Sequence, residues 1–198
     1  MGLITAVKGL ARYDGLLHLP KAAVGALKPL DFHILFIRRG MPLAPAPEVE
    51  GAAFHADALN LLRKLRAGRA DLPNEFWRDE VNGCARCCVA TINGELAGVV
   101  WAYEAPAPRP MIVLAPGDAE LTASFTLDAF RGRGLYRALL AFGTRWQLAE
   151  RGRLFTIVAS DNPTPLKAVA KTGYVHLDAL HRRSLFGPKF HTARIHHQ

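Results

Sequence analysis

The stretch from Glu120 to Arg137 constrains the fold more than any other, because it reads as a strand, a sharp turn and the start of a helix. Residues 120 to 126 alternate, with Glu120, Thr122, Ser124 and Thr126 on one face and Leu121, Ala123 and Phe125 on the other. That is the period of a half-buried strand, one face on a core and the other toward something polar. After Leu127-Asp128-Ala129-Phe130, the run Arg131-Gly132-Arg133-Gly134 leads into a helical stripe of Leu135, Leu139, Phe142 and Trp146.

A glycine-rich helix N-terminus is an anion site. Its first backbone N–H groups lack intrahelical partners, the helix dipole favours negative charge there, and Gly132 and Gly134 allow a ligand to approach the main chain. Arg131 and Arg133 add charge and forked donors suited to a diphosphate. Two familiar nucleotide motifs are excluded: no Gly-x-x-x-x-Gly-Lys-Ser/Thr spacing occurs, and the third glycine of a dinucleotide fingerprint is replaced by Arg137. A solvated loop between strand and helix is the plainer alternative for the turn.

The 198 residues are 50% hydrophobic, enough for one domain with a substantial core. A net charge of +8 and a sequence pI near 9.8 favour polyanionic ligands or partners without choosing among nucleotides, nucleic acid and anionic membrane. Cys84, Cys87 and Cys88 crowd into one strand-like segment and cannot build a disulfide framework, which points to a reducing, cytoplasmic setting. A zinc role for Cys84 and Cys87 lacks a second pair of ligands, so ordinary buried thiols are expected and no metal.

Residues 1–30 are apolar with scattered cations and are read as a helical appendage. Lys8 interrupts the apolar run, which argues against a signal peptide, and no apolar stretch is long enough to span a bilayer. Lys8, Arg12, Lys21 and Lys28 leave open a weak membrane-surface contact or a homodimer contact. The main domain is placed at residues 31–198. Its expected elements are a strand at 31–39, a breaker-rich linker at 42–47, a helix at 55–67, and a shorter helix after Pro73. Strands at 85–92 and 96–103 follow, joined through Asn93-Gly94, with an edge strand at 111–114. After the organising strand and helix come a strand at 154–159 and a helix capped by Thr164 with Pro165 in its first turn. That helix carries Leu166, Val169 and Ala170 inward and closes at Gly173, before a final hairpin at 174–177 and 183–186.

The turn resembles motif A of the GCN5-related N-acetyltransferase (GNAT) superfamily, Arg/Gln-x-x-Gly-x-Gly/Ala, with Arg131 and Gly134 matching and Tyr136 departing at the last position. The stretch from Asn162 to Tyr174 resembles that family's second signature, an asparagine at the head of a short helix ending in Gly-Phe or Gly-Tyr. The resemblance covers roughly residues 31 to 186. It implies an α/β fold whose central, mostly antiparallel mixed sheet is splayed between the fourth and fifth strands, with helices on both faces.

Carried over by position, the resemblance implies that Phe125 and Thr126 pair their main chains with pantetheine and that Arg131, Gly132, Arg133, Gly134, Leu135 and Tyr136 bind the diphosphate of acetyl-CoA or another short acyl-CoA. Asn162 then stands near the pantetheine, a backbone N–H at Ser124 stabilises the oxyanion, and Glu120 is a candidate general base for a small-molecule or peptide amine. The tyrosine that many members use as an acid toward the departing thiolate is Val169 here, which leaves Ser160, Tyr136 or water for that proton. The implied activity is acetyl transfer to a primary amine by direct attack. A catalytically weak or inactive acyl-CoA-binding regulatory module is the alternative, and a nucleic-acid binder ranks last because the cations are dispersed.

Overall fold

A computed structural model describes residues 30–105 and 112–182 of the chain. The expected appendage at residues 1–29, the proline run at 106–110 and the second arm of the closing hairpin lie outside the described residues. Seven strands form one sheet: β1 (Leu30–Arg38), β2 (Ala52–His55), β3 (Arg86–Ile92), β4 (Glu95–Glu104), β5 (Asp118–Thr126), β6 (Arg153–Ala159) and β7 (Val175–Arg182). Their order is β2-β3-β4-β5-β6-β1-β7. Every neighbouring pair is antiparallel except β5 with β6. The described residues also form four α-helices: α1 (Leu59–Arg66), α2 (Arg78–Asn82), α3 (Leu135–Glu150) and α4 (Pro163–Ala170).

The sheet is covered on both faces, as expected. On one side Leu135, Leu139 and Leu140 of α3 and Val169 of α4 pack on Val100, Leu121 and Leu154. On the other, Leu62 of α1 and Phe76 join Val99, Trp101 and Phe155. Coverage on both sides explains why β3 and β4 are buried almost throughout, reading as near-continuous apolar runs rather than alternating ones. The Asn93-Gly94 turn forms as its sequence demands, with φ of 50° and 84°, the positive pair of a tight hairpin.

Several elements depart from the expectations. The four-residue β2, pairing only with β3, was not anticipated; it is too short to show a period, and it is held partly by Phe54 stacking on Phe142 at 5.6 Å. The first strand lies inside the sheet, between β6 and β7, rather than beside its sequence neighbours. Strand β7 runs unbroken through the expected turn and pairs with β1, absorbing one residue in a register shift beside Leu35. Ile112 is a single bridge residue rather than part of an edge strand. Helix α4 starts at Pro163 with Asn162 as N-cap, two residues earlier than a Thr164 cap would set it, and Ala170 is exposed rather than inward.

The most consequential departure is in β5. Val99 pairs with Phe125 while Trp101 pairs with Thr122, so two residues, Ala123 and Ser124, stand opposite Val100 alone, and Ala123 takes φ of 47°. This is a β-bulge, and one extra residue reverses the inside–outside parity beyond it. The uninterrupted alternation over 120–126 therefore does not hold. Glu120 faces the α1–α2 side with its register partners Tyr103 and Phe155, whereas Ser124 faces the α3 side.

Candidate active site

Strands β5 and β6 run together for three pairs, Asp118 with Arg153, Ala119 with Leu154 and Glu120 with Phe155, and then part. Beyond that point β5 is held only by β4, and β6 only by β1. The opening is bounded by the N-termini of α3 and α4, and a cavity of about 700 Å³ fills it. Ser124, Phe125, Thr126, Arg131, Gly132, Gly134, Leu135, Tyr136 and Asn162 all line it. Arg133 and Glu120 do not.

The cavity wall presents the donors that a polyphosphate needs. Gly134 is the N-cap of α3 at φ of 78°, and no side chain caps the helix, so the first-turn amides are left for another acceptor. Gly132 holds the same φ of 78°, a conformation that an L side chain resists. Thr126 is 7% exposed, and its Oγ1 has no hydrogen-bond partner among the described residues. Buried hydroxyls are ordinarily satisfied, so this one suits a ligand's polar group.

Arg131 is less available than its position in the motif suggests. Its Nε donates to the Thr126 carbonyl at 3.2 Å, its Nη2 pairs with Asp128 at 3.0 Å, and its guanidinium lies 5.2 Å from the centre of the Phe125 ring. The side chain braces the end of β5 against the turn. Arg137, absent from the motif reading, lines the cavity together with Phe130, Thr164, Pro165 and Ala168. Arg137 was legible in principle, since it falls in the first turn of the helix that the glycines open.

Tyr136 turns inward. Burial pushes its phenol up to about 12, a rise opposed by a hydrogen bond with the Ser124 side chain. The residue that follows the α4 glycine, Tyr174, locks the two helices: its hydroxyl meets Thr144 Oγ1 at 3.0 Å, and Thr144 in turn donates to the Leu140 carbonyl at 2.7 Å. Burial raises the Tyr174 phenol as well. Val169 is wholly buried and offers no proton.

On the opposite face, Glu120 is 1% exposed, at the last paired position before the strands part. Its cross-strand neighbour Tyr103 accepts a hydrogen bond from Asn82 Nδ2 at 2.8 Å. The Tyr103 phenol is raised, first by burial and to a smaller extent by the Glu120 charge, against the lowering effect of Asn82. The cysteines take no part. Burial pushes Cys84 and Cys87 up to about 12 and raises Cys88 as well, so all three stay protonated thiols near neutrality. Among the described residues no group of three or more His, Cys, Asp or Glu could hold a metal ion, and no helix is long and apolar enough to cross a membrane.

A model of the acetyltransferase (GNAT) family matches residues 57–174. The chain belongs to the GNAT family. Solved GNAT structures share its fold at low identity. The GCN5-related N-acetyltransferase from Kribbella flavida is 15% identical with a TM-score of 0.53, the match covering 86% of this chain and 65% of that one. The GCN5-related N-acetyltransferase from Sphaerobacter thermophilus is 17% identical with a TM-score of 0.51, covering 81% and 53%. An acetyltransferase of the GNAT family from Colwellia psychrerythraea gives 13%, 0.53, 86% and 60%. This GNAT chain thus spans between 53% and 65% of the length of these structures. No curated relative matches the sequence.

Proposed function

We propose that this GNAT protein transfers a short acyl group, acetyl in the simplest case, from a CoA thioester to a primary amine. The parting of β5 and β6 beside an uncapped helix N-terminus carries the reading. The α3 amides, Thr126 Oγ1 and the extended main chain of Phe125 and Thr126 together fit a diphosphate with an amide-bearing arm.

In this reading the bulge at Ala123 divides the labour between the two faces of the sheet. The thioester arm occupies the α3–α4 side, where the main-chain N–H of Ser124 stabilises charge on the carbonyl oxygen as the amine adds to the carbon. The Tyr136 phenol, beside Ser124, donates to the sulfur as the carbon–sulfur bond breaks. Glu120, on the α1–α2 side, takes the proton that the attacking nitrogen loses, directly or through water. The nucleophile is the substrate's own nitrogen, so no enzyme nucleophile is required and the buried cysteines remain idle.

The test is release of free thiol from acetyl-CoA across a panel of small and peptidyl amines. An accepted amine should give turnover that Glu120→Gln lowers by on the order of a hundredfold, the usual scale of acid–base assistance, with CoA affinity nearly unchanged. Equal turnover in that variant removes Glu120 from the reaction. Tight CoA binding with no turnover on any amine removes the transferase reading itself.

A further inference from the structure

The cavity between β5 and β6 is open at one end and stopped at the other. At its outer end it runs into a second cavity of about 370 Å³, with which it shares Gly134, Arg137, Thr164 and Ala168 and which Pro47, Lys167 and Lys171 also line. At its inner end Ser124 is the last residue of β5 to line it, and no residue of β6 does. The stop is Tyr136. Its side chain leaves the first turn of α3, packs against the core and brings its phenol to the Ser124 side chain. Helix and strand are thus bridged by a bulky ring from the one position of the turn where the motif carries only glycine or alanine.

The wall behind the ring is full. Leu139, Leu140, Thr144, Val169 and Tyr174 are each 4% exposed or less, and none of them lines the cavity. The Tyr174 phenol, near enough to feel charge on Tyr136, is itself held by Thr144 Oγ1 at 3.0 Å. A close-packed interior resists even one added methylene, so the ring has no room to retreat. In the CoA reading above, on which this inference rests, the thioester carbonyl meets the main-chain N–H of Ser124 and the acyl chain begins one bond away. The first acyl carbons then stand against the Tyr136 ring. We infer that Tyr136 sets the length of the acyl group, admitting two or three carbons and excluding longer straight chains. An acetyl or propionyl group ends at the ring, whereas a longer chain must push the ring off Ser124 and into the packed wall. Misfit by a single methylene in an apolar pocket is worth roughly 10-fold to 200-fold.

The experiment measures binding of CoA and of its acetyl, propionyl, butyryl and hexanoyl thioesters to the full chain by calorimetry, which needs no acceptor amine. The wild type should bind CoA, acetyl-CoA and propionyl-CoA comparably, and hexanoyl-CoA at least about tenfold more weakly than acetyl-CoA. Tyr136→Ala should erase most of that ratio by improving the long thioesters. Because loss of a packed ring can unfold a domain, Tyr136→Leu is measured beside it, and circular dichroism checks both. Leucine keeps apolar packing on a shorter side chain and should reduce the ratio in part, while Tyr136→Phe keeps the ring and should keep the ratio. Wild-type protein that binds hexanoyl-CoA as tightly as acetyl-CoA overturns the inference and leaves the transferase reading intact. So does a folded Ala or Leu variant that weakens all five ligands alike, which is what a merely structural role of Tyr136 would give. Wild-type protein that binds none of the five overturns both.

Discussion

On the α1–α2 side of the sheet, the buried Arg66 guanidinium is paired within the protein; on the α3–α4 side, donors facing the cleft are held open. Arg66, 3% exposed, donates to the Phe76 carbonyl, to both oxygens of Asp79 at 2.6 and 2.9 Å and to Glu80 at 2.7 Å, and lies 4.3 Å from the centre of the Trp77 ring. Across the sheet, the α3 amides, Thr126 Oγ1 and Arg137 Nε lack protein partners among the described residues. A satisfied polar network fixes the position of an element, whereas an unsatisfied one is a standing cost that a ligand can remove. The contrast sets the Arg66 network apart from the cleft between β5 and β6 without reference to any motif.

The largest test of this contrast is Asp79→Ala. Removing the buried partner leaves the Arg66 guanidinium with only the exposed Glu80 carboxylate and the Phe76 carbonyl, at a cost approaching the roughly 3–5 kcal/mol of a broken buried pair, a large share of ordinary domain stability. The urea midpoint should fall accordingly while CoA affinity of the folded protein stays within about twofold, because the damage is on the other face. An unchanged midpoint would mean that the α1–α2 side is no scaffold. Acid should reproduce the loss. Burial pushes the Asp79 carboxyl up, but the hydrogen bonds and charges of Arg66 and Arg63 outweigh it and hold the group below its ordinary value. A depressed folded-state value contributes stability above the unfolded value, about 3.9, and that contribution is lost as pH falls through the folded value. The wild type and Asp79→Asn should therefore converge in stability in strong acid and diverge above about pH 4.

Much of this arrangement was legible beforehand, for identifiable reasons. Asn93-Gly94 fixes its hairpin because both residues tolerate positive φ, and the Gly132–Gly134 turn announces an uncapped helix because the glycines sit just before a clean apolar stripe. The bulge at Ala123 was not legible: alanine carries no sign of φ of 47°, and the unbroken alternation of its neighbours hides the change of face. Nor could the pattern place β1 between β6 and β7, since periodicity reports a strand's faces but not its neighbours. Arg137, Lys167 and Lys171 come from two helices separated in sequence, and only the packing of α3 near α4 brings them to one cavity.

Gly134→Ala probes the open side at an intermediate scale. At φ of 78° an alanine is strained, by roughly 1–2 kcal/mol, and its Cβ would stand 3.3 Å from Pro47 Cγ at the mouth of both cavities. Gly68 is the matched control, because at φ of 76° it has nothing within 4 Å of an added Cβ. Both alanines should lower stability by a similar amount, and only Gly134→Ala should also weaken CoA binding, by about tenfold, as the first-turn amides shift. Equal CoA affinity in the two variants would show that the α3 N-terminus does not hold the ligand.

Tyr136→Phe is the smallest and most discriminating change, because it deletes one hydroxyl on the open face and keeps the ring. Stability should move by only about 0.5–1.5 kcal/mol, the net worth of one hydrogen bond, here to Ser124. A thiolate leaves readily, so a proton donated by Tyr136 in the proposed reaction would be worth less than a general acid usually is, roughly tenfold in kcat. Because burial pushes the phenol up to about 12, it stays protonated across the working range, and the variant should keep the pH profile of the wild type while running lower throughout. A tenfold fall in kcat with CoA affinity unchanged separates proton donation from packing, whereas a rise in the CoA Kd with kcat preserved would make Tyr136 a wall of the cleft and return the proton to water.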